Sequence, residues 1–313
     1  MMKTDRLLHT DQISCFDEAG NEIVCEDSGQ DGFFGFRTRI PRDRFRVIND
    51  TVTEDTWTGL SWHRDANIAE FPLSWEEAVQ VVKKMNSCQH FGRSDWRLPK
   101  REELFTLISH QAINPCLPEN HPFENVFDGY YWTQTECARL PNQAWYIHMG
   151  GARVYRGMKH GSYMVWPVAG SEIDMGRIED RFVTHEYLIY DRLIQRTWLD
   201  AECFDAGALT WQQALDWIKR INEEKVAGYR DWRLPNIREL ESLVDDSAHS
   251  PAILTGYPPH RIKEGYWSST TSLYEPRYAW VLYTKDGAVG VGYKPQKDFY
   301  LLAVRCGVKS YFV

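Results

Sequence analysis

Asp95-Trp96-Arg97-Leu98-Pro99 returns intact as Asp231-Trp232-Arg233-Leu234-Pro235, 136 residues later. The repetition spreads outward from these two stretches. At the same offset Trp62 meets Trp198, Trp75 meets Trp211, Asn86 meets Asn222 and Leu107 meets Leu243. Further on, Tyr131-Trp132 meets Tyr266-Trp267 and Ala144-Trp145 meets Ala279-Trp280, now offset by 135. A chain that keeps its tryptophans in this register is built from two copies of one domain. The expected division is an N-terminal hairpin extension over residues 1–45, a first copy over 46–170 and a second over 181–313, with the polar stretch 171–180 as linker. Each copy is long enough to hold its own core.

Around the repeated motif the local signals define an α+β unit. Ser74-Trp75-Glu76-Glu77 and Thr210-Trp211-Gln212-Gln213 read as capping boxes, in which a hydroxyl and a Glu or Gln side chain satisfy backbone donors reciprocally. Apolar residues then recur with helical spacing at Trp75, Ala78, Val79, Val82 and Met85, and at Trp211, Ala214, Leu215, Ile218 and Ile221. Gly92 and Gly228 follow, as a chain reversal requires. Trp-Arg-Leu-Pro itself is short and extended, because a residue before proline is pushed out of the α region. A second helix starts directly after it. Asn236 and Glu239 form a further capping box, whereas the first copy has Lys100 at the cap, so its second helix is expected to start less cleanly. Beyond a long loop, Ala279 to Thr284, Lys285-Asp286-Gly287 and Ala288 to Val291 read as a hairpin around an Asp-Gly turn. Its counterpart runs from Ala144 to Tyr155 through Gly150-Gly151.

Composition narrows the function classes. A net charge of -8 argues against a general nucleic-acid binder, which needs a broad basic face. No apolar run spans a bilayer, and the start from Met1 to Leu8 holds no apolar stretch long enough for a signal peptide. The seven cysteines contain no CxxC pair, and an odd count leaves at least one outside any intrachain disulfide. Cys15 and Cys25 flank a turn-rich stretch; they read either as a disulfide-closed hairpin in an oxidising compartment or as two buried thiols.

Trp-Arg-Leu-Pro-x-x-x-Glu-Leu (Trp232 to Leu240), Tyr266-Trp267-Ser268-Ser269-Thr270, Ala279-Trp280 and Val304-Arg305-Cys306 resemble the C-terminal domain of the bacterial collagen-like adhesin Lcl. In the first copy Tyr131-Trp132-Thr133-Gln134-Thr135 replaces the serine pair, and Trp166-Pro167-Val168 stands where the terminal Val-Arg-Cys would. Cys15, Cys25, Gly29 to Gly32, Asp50 to Val52 and Thr58 to Leu60 resemble the lead-in to such a domain. The resemblance implies two tandem C-type-lectin-like domains, each with two helices and a small antiparallel sheet, related to the formylglycine-generating enzymes. It also implies export, and a glycan or protein partner met by the loops and strands after the second helix.

The chemistry-bearing residues are few. Calcium-dependent sugar binding needs an oxygen-rich ligand set, and Glu275-Pro276-Arg277 puts an arginine where a ligand would stand. His185-Glu186 lacks a second histidine at metal spacing, so no metal or other cofactor is expected. Copper-dependent formylglycine-type oxidation would use Cys306, with Cys203 as neighbour if the copy's first strand folds beside its last; such an oxidoreductase is the alternative to a binding protein. Trp96, Arg97, Trp232 and Arg233 could stack on a ligand, but a motif kept in both copies while the loops diverge reads as frame, its arginines pairing Glu103 and Glu239. Arg37, Arg39, Arg42, Arg44 and Arg46 form a basic run that meets either a polyanion or the chain's own carboxylates. The candidate ligand surface is the outward face of the hairpins: Tyr146 and His148 in the first copy, Tyr283, Lys285, Tyr293 and Lys294 in the second. The expected function is non-enzymatic recognition or assembly.

Overall fold

The computed structural model describes residues 9–35, 43–173, 180–200, 206–257 and 262–307. The chain falls into two compact units, one of Met1–Arg39 with Met175–Val313, the other of Ile40–Asp174. The N-terminal segment therefore belongs with the second copy. It holds a two-stranded hairpin, β1 (Cys15–Phe16) and β2 (Glu22–Ile23), closed by a Cys15–Cys25 disulfide, then a short helix α1 (Asp31–Gly35).

In the unit 40–174, β3 (Phe45–Val47), β4 (Val52–Asp55) and β5 (Ser61–His63) form an antiparallel sheet that the last strand, β9 (Val168–Ala169), completes beside β5. Between them lie α2 (Trp75–Ser87), α3 (Arg101–Thr106) and a second antiparallel sheet of β6 (Tyr130–Glu136), β7 (Gln143–His148) and β8 (Val154–Met158). The unit of the second copy repeats this order. Its first sheet is β10 (Phe182–His185), β11 (Leu188–Asp191), β12 (Arg196–Leu199) and the closing β16 (Val304–Cys306). Then come α4 (Trp211–Glu223), α5 (Ile237–Glu241), and β13 (Gly265–Thr271), β14 (Tyr278–Tyr283) and β15 (Ala288–Tyr293). Each unit thus carries two antiparallel sheets rather than one. The first of them was hidden because its strands are short and its fourth member arrives more than 100 residues after its third.

Three of the recurring tryptophan pairs, Trp75/Trp211, Trp96/Trp232 and Trp132/Trp267, spend their indole N–H groups on backbone carbonyls, whereas those of Trp62 and Trp198 are buried without a partner among the described residues. Trp75 donates to Thr133 O and Trp211 to Ser268 O (2.9 and 2.8 Å), tying the first helix to the second sheet. Trp132 and Trp267 donate to Leu73 O and Leu209 O at 2.9 Å each. Trp96 and Trp232 are gripped on both backbone sides by Asn86 and Asn222, each through two bonds of 2.8 Å. The asparagine is repeated because one amide supplies both the donor and the acceptor that an extended residue leaves open.

Both first helices begin where the capping boxes place them. The second helix of the first copy also begins cleanly, contrary to expectation. Glu103 accepts the Lys100 N–H at 2.7 Å and the Thr135 hydroxyl accepts the Arg101 N–H at 3.0 Å, so only the cap side chain's own bond is missing. The chain reversals after α2 and α4 are single 3-10 turns ending at Gly92 and Gly228, whose positive φ values of 71° and 83° suit glycine.

Candidate functional site

The arginine of the repeated motif is directed inward. Arg97 holds Glu103 with bonds of 2.6 and 2.8 Å, and Arg233 holds Glu239 with bonds of 2.6 and 2.5 Å. Both glutamates are fully buried. In the second copy Arg196 adds a third cationic contact to Glu239 at 2.8 Å; in the first, the Ile173 N–H takes that place on Glu103 at 3.0 Å. Burial works against the Glu239 charge, yet Arg233 and then Arg196 outweigh it and hold the carboxyl down at about 2. Trp96 and Trp232 are each 2% exposed. Their faces are closed to a ligand, and this constellation braces β9 and β16 through backbone bridges from Arg97 to Val168 and from Arg233 to Val304.

Those bridges correct the alignment at the end of the first copy. Val168 stands opposite Arg97 as Val304 stands opposite Arg233, so Val168-Ala169-Gly170 is the counterpart of Val304-Arg305-Cys306, not Trp166-Pro167-Val168. Gly170 occupies the place of Cys306. Cys306 is an exposed free thiol at the end of β16, beside Arg233. Cys203 lies outside the described residues. Among the described residues no group of three His, Cys, Asp or Glu side chains gathers as a metal site, and no helix is long and apolar enough to cross a membrane.

Of the basic run, Arg44 turns into the chain: it binds Asp55 through two nitrogens (2.9 and 2.6 Å) and Thr106 O at 2.9 Å, at 1% exposure. Arg181 repeats this on Asp191 (2.9 and 2.6 Å) and on Ser242 O at 2.8 Å. This duplicated pair anchors β4 and β11 to the second helix of each copy. Arg46 pairs Glu54 at the surface; Arg37, Arg39 and Arg42 lie outside the described residues.

The hairpin residues separate the copies. In the first, β7 sends Tyr146 and His148 to the face opposite buried Trp145 and Ile147. There they meet aromatics that arrive from elsewhere. Tyr130 of β6 lies 4.7 Å from Tyr146 and 4.6 Å from His148, Tyr163 lies 4.8 Å from Tyr146, and Tyr155 of β8 lies 6.4 Å from it. Tyr130 is 41% exposed and Tyr155 49%. Gly157 makes the cluster possible, since a Cβ there would sit 2.7 Å from the Tyr163 hydroxyl and 2.9 Å from the Tyr146 ring. Half-burial, and then the neighbouring phenols, push the Tyr146 hydroxyl well above its ordinary range. His148 is held below its usual value by burial and by Arg153, so its ring is neutral at pH 7. The result is an aromatic surface of phenol hydroxyls and one imidazole, with the Arg156 guanidinium 4.8 Å over the Tyr155 ring and Arg153 beside His148.

In the second copy the same face is thinned. Gly265, Gly290 and Val281 stand where Tyr130, Tyr155 and Tyr146 stand in the first. Tyr283 is half-buried against Phe299, with ring centroids 5.5 Å apart. Lys285 is exposed in the turn, and Tyr293 lies at the far end of β15 beside Tyr278 at 5.3 Å. Lys294 does not face outward. It is fully buried, 4.1 Å above the Trp211 ring, and donates to Phe16 O and Asp17 O at 3.1 Å each. Its burial, which Asp17 and Glu18 only partly offset, pushes the amine down to about 7. The reason is the N-terminal hairpin, which folds back over this end of the second copy. Tyr130, Tyr155 and Tyr163 were not singled out in the sequence, because they converge from two strands and a loop; Tyr130, which precedes the aligned Tyr131-Trp132, was the available signal.

This geometry sits on a known domain type. The family model of the Lcl C-terminal domain matches twice, at residues 51–169 and 187–305, and the chain belongs to that family as a tandem of two such domains. Comparison with curated proteins returns no significant match.

Proposed function

We propose that this protein is a non-enzymatic recognition or assembly protein, with two C-type-lectin-like domains, that binds a glycan or protein partner through the tyrosine face of its first copy. The observation that carries this reading is the cluster of Tyr130, Tyr146, His148, Tyr155 and Tyr163. It is a partly exposed aromatic surface on a sheet face, and the second copy lacks it because Gly265, Val281 and Gly290 stand at the equivalent positions. Tyrosines of this kind offer large contact area at low entropic cost, with hydroxyls that bond a polar partner. A frame built from the repeated Trp, Asn, Arg and Glu residues leaves this face free to vary. The Cys15–Cys25 disulfide fits an exported, adhesin-like chain.

The test is a glycan array, together with a pull-down from bacterial envelope, using the full chain and its Tyr130→Ala/Tyr155→Ala double variant. Because both residues are near half exposed, the variant is expected to keep its melting temperature and lose its ligand. Retained binding would move the site off this face.

A further inference from the structure

In the second copy one end of the domain is covered by the chain's own N-terminal segment, and among the described residues no equivalent segment covers that end of the first copy. The covering contacts are specific. Lys294 donates to the carbonyls of Phe16 and Asp17, Gln12 exchanges two bonds with the backbone of Thr271 (2.7 and 2.8 Å), and Asp31 accepts from the Thr270 hydroxyl at 2.7 Å.

The first copy rebuilds the receiving side residue for residue. Lys159 stands over Trp75 at 4.5 Å as Lys294 stands over Trp211 at 4.1 Å. The Trp75 backbone N–H donates to Lys159 O as the Trp211 backbone N–H does to Lys294 O, at 2.9 Å in each. Thr135 caps α3 from the position at which Thr270 caps α5. Yet Trp75, Val79 and Thr135 are partly exposed and Glu136 is exposed, where Trp211, Leu215, Thr270 and Thr271 are buried. The uncovered end also differs in charge: Glu76, Glu77 and Glu136 replace Gln212, Gln213 and Thr271.

We propose that this face of the first copy, around Trp75, Glu136 and Lys159, docks a basic, turn-forming peptide segment of a partner protein, as the equivalent face of the second copy docks the chain's own N-terminal turn. Lys159 takes two consecutive carbonyls of the incoming turn. Glu136, now paired with Lys159 at 2.5 Å, turns to a cation of the partner at the place Gln12 fills in the second copy. The carboxylates select against an acidic segment such as the one around Asp17 and Glu18. The site uses none of the tyrosine cluster.

The test uses the full chain and, as probe, a labelled disulfide-closed peptide of residues 9–35 carrying Gln12→Arg, Asp17→Asn, Glu18→Lys and Glu22→Lys, which offers an arginine to Glu136 and replaces the acidic turn by a basic one. Saturable binding is expected, weakened about 5-fold by Glu136→Thr and about 10-fold or more by Lys159→Ala, and unchanged by Tyr130→Ala/Tyr155→Ala. Absence of saturable binding up to about 1 mM peptide, or equal binding to wild type and both variants of this face, overturns the proposal. So does a concentration-dependent dimer of the unliganded chain that Lys159→Ala abolishes, because the face would then belong to a second copy of the chain.

Discussion

Replacing Glu239 with glutamine keeps the shape of the buried carboxylate and removes its charge from between Arg233 and Arg196, which approach to 2.5–2.6 Å and 2.8 Å. The amide also turns an N–H donor toward a guanidinium that has no acceptor to offer. In the fold the two guanidinium groups hold the Glu239 carboxyl down at about 2, against an ordinary value of 4.5. A gap of that size corresponds to about 3 kcal/mol of stability at neutral pH, the same order as the cost of removing one partner of a buried ion pair. Because the folded value is the lower one, this contribution is complete above about 4.5 and is lost as the pH falls toward about 2. Urea unfolding followed by tryptophan fluorescence should therefore show Glu239→Gln about 3 kcal/mol less stable than wild type at pH 7, with the difference shrinking through pH 4 to 3. Glu103→Gln should cost less, since one arginine and the Ile173 N–H hold that carboxylate. A loss under about 1 kcal/mol at pH 7, or a loss of the same size at pH 3, would refute the view that the repeated motif is a buried charged brace.

Two further outcomes follow from the same geometry. Asn86→Ala and Asn222→Ala each strand a buried tryptophan N–H and C=O, and each should cost about 2 kcal/mol or more, in equal measure, by urea unfolding; unequal losses would contradict the equivalence of the copies. Lys294→Ala should release the N-terminal hairpin, speeding hydrogen exchange around Phe16 to Gly20 about 10-fold or more, while Lys159→Ala leaves it unchanged. The Lys294 amine titrates lower in the fold than in the unfolded chain, so the hairpin's attachment should tighten as pH rises from about 7 toward 10.

The parts of the fold legible in the sequence were those encoded within a few residues of one another. Ser74 with Glu77, Thr210 with Gln213, and Asp286-Gly287 each announce a helix start or a turn locally, and all three occur where expected. What escaped depends on residues far apart. Arg44 was visible as one of a basic run, but its partners Asp55 and Thr106 are 11 and 62 residues away. Its repetition as Arg181 with Asp191 was the available signal. Lys294 looked like a surface residue because nothing near it shows that Phe16 and Asp17 return to cover it. Half of the tyrosine face was legible, through Tyr146 and His148 alternating with core residues. The other half was not, because it assembles only when β6, β8 and the loop bearing Tyr163 come together.

The central claim is that recognition resides in what differs between the copies, and above all in the tyrosine face of the first. Its most direct test is calorimetric titration of the full chain with the strongest array ligand, wild type beside Tyr130→Ala/Tyr155→Ala and beside Tyr283→Ala. The account predicts an affinity loss of about 10-fold or more for the double variant at unchanged melting temperature, and little change for Tyr283→Ala. Equal affinity in wild type and the double variant would contradict it.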